Sequence, residues 1–155
     1  MQTLRATVTG DQKLSPDYPL SILLGRGLID QVQHDSGMRF ARLYWALFGK
    51  PFGRAQDYQQ ARGTGMDAVG ELSARADYEA QVMALADLGA VGLIQDLAVF
   101  LRRGWIVDAI LRGEPRRRRH VLRLARIRQA LAALAAVPRA RISAEDRERA
   151  RKEVA

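Results

Sequence analysis

Apolar residues recur at helical spacing along most of the chain. The clearest run lies toward the C-terminus, where four apolar residues share one helix face at about 100° per residue: Leu124, Ile127, Leu131 and Leu134. This pattern predicts a long helix from Arg116 to about Val137, ended by Pro138. Pro115 is expected in the first turn of that helix, where its missing N–H has no intrahelical partner to lose.

The same spacing predicts further helices, and sparse aromatic residues with abundant Ala and Leu favour helices over strands. We therefore expect an all-α protein. The shorter predicted helices, in chain order, are Leu20–Leu24, Ile29–Phe48, Ala76–Leu88, Val91–Leu101, Trp105–Leu111 and one that starts at Ser143. Within the second, the small residues Ser36 and Gly37 mark a position where another helix approaches.

Turn-forming and polar stretches divide this pattern into five parts. The glycine-rich stretch after Phe52 reads as a linker, because it lacks a clear period and contains Gly63 and Gly65. The predicted parts are an irregular arm (1–19), an N-terminal helical unit (20–52), the linker (53–75), a helical domain (76–138) and a charged helical tail (139–155) that extends into solvent or frays.

The order of elements within 76–138 resembles a helix-turn-helix. An apolar helix is followed by a tight turn at Gly104, then by a short helix, and then by a longer helix with a basic start. We expect a helix-turn-helix-like C-terminal subdomain in which the last helix takes the place of the recognition helix.

Positive charge is concentrated in the same region. The chain carries a formal net charge of +8, and residues 102–128 contain ten arginines against only Asp108 and Glu114. Arginine outnumbers lysine 22 to 3, a bias that a GC-rich genome explains. Such a bias does not explain the distribution, since residues 1–75 carry +2 and residues 76–155 carry +6.

Four of these arginines form a stripe on the predicted long helix. Their spacings of three, four and three place Arg116, Arg119, Arg123 and Arg126 about 90° from the apolar face. Guanidinium groups bind phosphate oxygens in a bidentate manner. The predicted nucleic-acid-binding residues are Arg102, Arg103, Arg116, Arg117, Arg119, Arg123 and Arg126.

Other chemistry receives little support. The chain has no cysteine, and His34 and His120 are its only histidines, so we expect no metal site. Asp30 and Asp35 are too ordinary a pair to indicate acid–base catalysis. Glycine-containing segments lack the Lys-Ser/Thr of a phosphate loop. We expect no enzyme, no catalytic residues and no cofactor.

The remaining predictions concern the aromatic residues, membrane insertion and localisation. The aromatic residues Tyr44, Trp45, Phe48 and Phe52 read as core. No secretory signal and no membrane span are expected. The absence of cysteine fits the cytoplasm.

One segment resembles a known kind of protein. Leu24-Gly25-Arg26-Gly27-Leu28-Ile29-Asp30, with Gln33, Gly37, Arg39-Phe40 and Leu43-Tyr44-Trp45, is similar to a helical segment in an uncharacterised domain of alphaproteobacterial helix-turn-helix regulators. Some of these regulators are related to prophages or gene-transfer agents, and their Arg-laced last helix resembles region 4 of sigma factors. The resemblance implies transcriptional control alongside RNA polymerase.

Two functions remain open at the level of sequence. The first is a DNA-binding transcriptional regulator whose arginine-rich helix contacts the phosphates or a groove of double-stranded DNA. The alternative is a helical interaction module that binds an acidic protein surface, such as an RNA polymerase subunit, or that assembles into a phage-type homo-oligomer.

Overall fold

The protein is helical throughout the part of the chain that its computed structural model describes, which comprises residues 18–51, 68–139 and 144–154. The predicted all-α class is confirmed. The arm up to residue 17, linker residues 53–67 and Phe52 lie outside the described ranges. In chain order the helices are α1 (Pro19–Gly25), α2 (Gln31–Phe48), α3 (Ala68–Asp87), α4 (Val91–Ile94), α5 (Gly104–Leu111), α6 (Arg118–Ala136) and α7 (Ala144–Val154).

Helix α3 begins eight residues earlier than predicted. Residues 68–75, expected in the linker, are helical. The sequence prediction extended the linker too far, because the stretch contains a further glycine, Gly70. An interior glycine costs only about 1 kcal/mol relative to alanine, and here the good helix formers Glu71 and Leu72 and the burial of Ala74 offset that cost.

The predicted helix Val91–Leu101 is interrupted. After the single turn of α4, residues Gln95–Val99 form a π-helical segment, in which the amide of Phe100 donates to the carbonyl of Gln95 at 2.9 Å. Leu101 then adopts φ +53°, in the left-handed region that a branched side chain rarely occupies. These two irregularities turn the chain sharply just before Arg102.

A single apolar core joins the N-terminal helical unit to the C-terminal helices. Helix α2 packs most extensively against α6, α3 and the π-helical segment. The buried cluster contains residues from both predicted units, among them Phe40, Leu85 and Ile127. Gly37 is buried where α1 and α6 meet α2. A Cβ atom at this position would lie 2.5 Å from Leu20 Cδ1 and 3.0 Å from Leu131 Cδ2, so the close approach requires glycine. The predicted helix approach at this position is confirmed.

Aromatic side chains line the contact between α2 and α3. Trp45 is buried as expected, and its indole Nε1–H donates to the carbonyl of Val99 at 3.2 Å. The rings of Tyr44 and Tyr78 contact each other, and burial raises the pKa of the Tyr78 phenol. Phe48 remains 44% exposed although its ring centroid lies 4.9 Å from that of Tyr44, so it belongs to the edge of the core.

The charged tail forms a helix as predicted, but this helix does not extend into solvent. Helix α7 packs against α3. Its one buried residue among those with described side chains is Ala150, which is small enough to let the two helices approach closely. The sequence prediction missed this contact because one alanine gives no apolar periodicity.

Candidate functional site

The residues immediately before α6 are extended and not helical. Glu114, Pro115 and Arg116 precede the helix, and Arg117 has the extended backbone of an N-cap residue (φ −99°, ψ 167°). The expectation that Pro115 lies in the first helical turn is therefore wrong. The physical reason is His120, whose Nδ1 accepts the backbone N–H of Arg117 at 2.8 Å and so fixes the start of α6.

His120 is held in place by its burial. Only 3% of its surface is exposed, and its ring centroid lies 5.7 Å from that of Trp105 on α5. Its Nε2 lies 3.8 Å from a carboxylate oxygen of Glu114. The cap of α6 is thus built by three residues from α6, α5 and the connection between them.

The predicted arginine stripe is shortened by one residue. Arg116 precedes the helix, whereas Arg119, Arg123 and Arg126 follow one another along α6 beside the apolar face. The predicted apolar face is confirmed, since four of its residues are buried: Leu124, Ile127, Leu131 and Leu134.

Two arginines of the stripe flank Trp105. The guanidinium carbons of Arg119 and Arg123 lie 5.4 Å and 5.5 Å from the centre of the indole ring, within the range of cation–π attraction. Trp105 nevertheless remains 40% exposed. The sequence places Trp105 only as the start of a short helix, so its position between two arginines was not predicted.

Two arginines reach this region from the turn before α5. Arg102 lies 3.3 Å from a carboxylate oxygen of Asp96, and its backbone N–H donates to the carbonyl of Asp96 at 2.7 Å. Arg103 is exposed, and no acidic side chain in residues 18–51, 68–139 or 144–154 pairs with it. The turn therefore presents one paired and one open guanidinium group.

These elements enclose a groove of about 1060 Å³ between α4, the π-helical segment, the start of α5 and the side of α6. Five of the seven predicted binding residues line it: Arg102, Arg103, Arg119, Arg123 and Arg126. The other two, Arg116 and Arg117, lie on the extended segment outside the groove lining. The structure thus separates the predicted residues into a groove set and an exposed N-terminal set.

Some arginines of the region have structural roles. The Nη2 of Arg126 donates to the carbonyl of Gly89 at 2.6 Å, at the turn that ends α3. The Nε of Arg128 donates to the carbonyl of Leu28 at 2.6 Å, before α2. Arg112 pairs with Glu114 at 3.0 Å. These contacts reduce the number of arginines whose charge is open to a partner.

The structure adds Arg118 to the exposed set. Arg118 is the first residue of α6, is exposed, and pairs with no acidic side chain among the described residues. It belongs to the run of four arginines that the sequence shows, but a helix starting at Arg116 placed it off the predicted stripe. Arg116, Arg117 and Arg118 together form what is called below the basic segment.

A second polar cluster connects α1 to α2. The buried imidazole of His34 lies 3.3 Å from Ser21 Oγ and 3.2 Å from a carboxylate oxygen of Asp35. Asp30 has a different role, since its carboxylate accepts the amide of Gln33 at 2.7 Å and caps α2. The cluster of Ser21, His34 and Asp35 therefore joins two helices, and Asp30 and Asp35 do not act as a pair.

Comparison with known proteins finds no family model, no curated protein and no solved structure that matches the chain. The resemblance to helix-turn-helix regulators therefore stays a prediction. Among the described helices, none is by itself long and apolar enough to cross a membrane. The pair Ala68–Asp87 and Val91–Val99 reaches that length and composition only together, and it is bent by 119°.

Proposed function

We propose that this protein is a cytoplasmic DNA-binding transcriptional regulator, and that the basic segment and its neighbours contact the phosphates of double-stranded DNA. The observation that carries the proposal is the exposure of Arg103, Arg116, Arg117 and Arg118. No acidic side chain in the described ranges pairs with any of the four. Arg119 is also exposed and adds a fifth charge beside them.

The position of the basic segment supports an anionic partner. The first turn of a helix carries a partial positive charge, so each arginine close to it costs the free protein roughly 0.3–1 kcal/mol. Arg118 and Arg119 lie in the first turn of α6, and Arg117 caps it. Phosphate groups would remove this repulsion and would accept hydrogen bonds from the backbone N–H groups of Arg118 and Arg119.

Phosphate contacts are better supported than the reading of bases. Amide side chains, which pair with adenine in the major groove, are represented on α6 only by Gln129. Gln129 lies about three turns beyond the basic segment and lines the groove. We therefore expect binding that depends strongly on salt and weakly on sequence. The helix-turn-helix assignment and the link to RNA polymerase belong to the same proposal.

The test is a charge reversal in the basic segment with a matched control. Arg116→Glu/Arg117→Glu/Arg118→Glu and Arg147→Glu/Arg149→Glu/Arg151→Glu each lower the formal net charge from +8 to +2, because each replaces three positive charges by three negative ones. The control arginines are exposed on α7. Fluorescence anisotropy with a labelled duplex of about 20 base pairs at about 0.1 M salt measures binding.

We expect the basic-segment variant to bind duplex DNA roughly a hundredfold more weakly than the wild type, because three phosphate contacts are lost. The α7 variant should stay within a few-fold of the wild type. Acidic residues favour a helix N-terminus, so thermal unfolding should show the basic-segment variant to be at least as stable as the wild type. An equal loss in both variants would mean that affinity follows net charge and not this surface.

A second candidate function is the binding of an acidic protein, and the apolar lining of the groove favours it. Nucleic-acid phosphates do not need such a lining. This surface is distinct from the basic segment.

A further inference from the structure

The groove has apolar walls that phosphate binding leaves unexplained. Its lining includes the half-buried Leu93 and the exposed Leu122, with Leu97 and Ile106 buried at its base. Leu122 is 59% exposed, and Trp105 in the same groove is 40% exposed. Adjacent exposed apolar side chains rimmed by charge indicate a docking site for another molecule.

The rim of the groove is strongly positive. Five arginines line it, and the one acidic residue in the lining, Asp96, already pairs with Arg102. The lining therefore carries five positive charges against one negative charge. A complementary partner has apolar groups in its centre and carboxylates at its edges.

The backbone around the groove is irregular, which is a separate sign of a binding site. The π-helical segment supplies Asp96 and Leu97 to the lining. Leu101, with φ +53°, directs the chain toward Arg102 and Arg103. Both π-helical turns and left-handed branched residues carry a conformational cost and are frequent at functional sites.

We propose that the groove binds an acidic amphipathic helix of a partner protein. Apolar side chains at positions i, i+3, i+4 and i+7 of that helix contact Leu93, Trp105 and Leu122, and flanking carboxylates pair with Arg119, Arg123 and Arg103. This inference goes beyond the proposed DNA binding, because the basic segment lies outside the groove lining. The two surfaces adjoin, because Arg103 and Arg119 line the groove and also lie beside the basic segment.

Two synthetic peptides of identical composition test the occupant. In the patterned peptide, leucines share one helix face and glutamates flank them; in the shuffled peptide, the same residues share no face. We expect the patterned peptide to bind the full chain at least roughly tenfold more tightly, because burial of even one leucine corresponds to about that factor. Fluorescence anisotropy of labelled peptides measures both affinities.

The indole N–H signals of the two tryptophans show where the peptide binds. In ¹H–¹⁵N spectra the indole N–H of Trp105, assigned with Trp105→Phe, should shift with the patterned peptide. The indole N–H of Trp45 should stay in place, because Trp45 is buried and bonded to Val99.

Two substitutions at exposed apolar positions test whether Leu122 contributes to peptide binding. Leu122→Ser should weaken the patterned peptide roughly tenfold and leave duplex binding unchanged. Val32→Ser removes a similarly exposed apolar side chain, 63% exposed on α2, and should change neither. Both substitutions are on exposed positions, so the fold is retained.

Three results would overturn the proposal. Equal binding of the two peptides would mean that charge alone attracts them. The groove would be a nucleic-acid site if neither peptide binds and a single-stranded oligothymidylate shifts the indole N–H signal of Trp105. In that case Leu122→Ser would also weaken the binding of the oligothymidylate. If sedimentation shows that the chain self-associates and that Leu122→Ser abolishes this association, the occupant of the groove is a second copy of the chain. Loss of duplex binding on charge reversal of the basic segment is independent of all three.

Discussion

Arginine residues that look equivalent in the sequence have different environments in the folded chain. Arg126 donates to the carbonyl of Gly89, and Arg128 donates to the carbonyl of Leu28. Arg116 and Arg118 are exposed and pair with no acidic side chain in the described residues. A charged side chain bonded to a backbone carbonyl stabilises the fold, whereas an open one is available to a partner.

This difference predicts that the same substitution destabilises the fold at one position and has no effect on stability at the other. Arg126→Met keeps most of the apolar stem but removes the bond to Gly89, so it should lower the free energy of unfolding by about 0.5–1.5 kcal/mol. Arg116→Met removes no such bond and should leave stability unchanged. Urea denaturation followed by circular dichroism compares the two. Equal midpoints in the two variants would mean that the Arg126 contact does not contribute.

At the scale of the elements, the ends of the helices are set by side chains that periodicity does not show. The apolar face of α6 was predicted in full, because its residues recur at helical spacing. Its start was not, since it is set by the bond from the Arg117 amide to His120 Nδ1, and periodicity does not show that bond. Likewise Gly70 does not prevent α3 from extending back to Ala68.

The junction of α1, α2 and α6 depends on the absence of a side chain at Gly37. A methyl group there would overlap Leu20 and Leu131, both buried, and such overpacking costs about 1–3 kcal/mol. Alanine also favours the helix by about 0.5–1 kcal/mol. Gly37→Ala should therefore lower the free energy of unfolding by about 1 kcal/mol.

Gly92→Ala is the control for this effect. A Cβ atom at Gly92, on α4, meets nothing within 4 Å. This substitution should be neutral or stabilising by up to about 1 kcal/mol. Thermal unfolding monitored by circular dichroism compares the two variants. A stabilised Gly37→Ala would show that α1 and α6 move apart without cost.

At the scale of the whole molecule, the helical class and most helix positions follow from the sequence. The candidate site follows only in part, because the sequence shows the arginine run but not its partners. The groove arises from contacts between distant residues, such as Trp105 with Arg119, and from the turn at Leu101. The exposure of Leu122 likewise depends on how α4 and α6 pack. No local pattern contains this information.

We propose that exposed arginines near the start of α6 bind DNA phosphates. For a protein that neutralises about five phosphates, log K falls with log salt at a slope near −4.5. Five arginines are available for this, namely Arg103, Arg116, Arg117, Arg118 and Arg119.

The most direct measurement is the salt dependence of duplex binding for the wild type and for Arg116→Glu/Arg117→Glu/Arg118→Glu. We predict a slope near −4.5 for the wild type and near −1.8 for the variant, because about two contacts remain at roughly 0.9 each. A flat response in the wild type, or the same slope in both proteins, would contradict DNA binding by this segment.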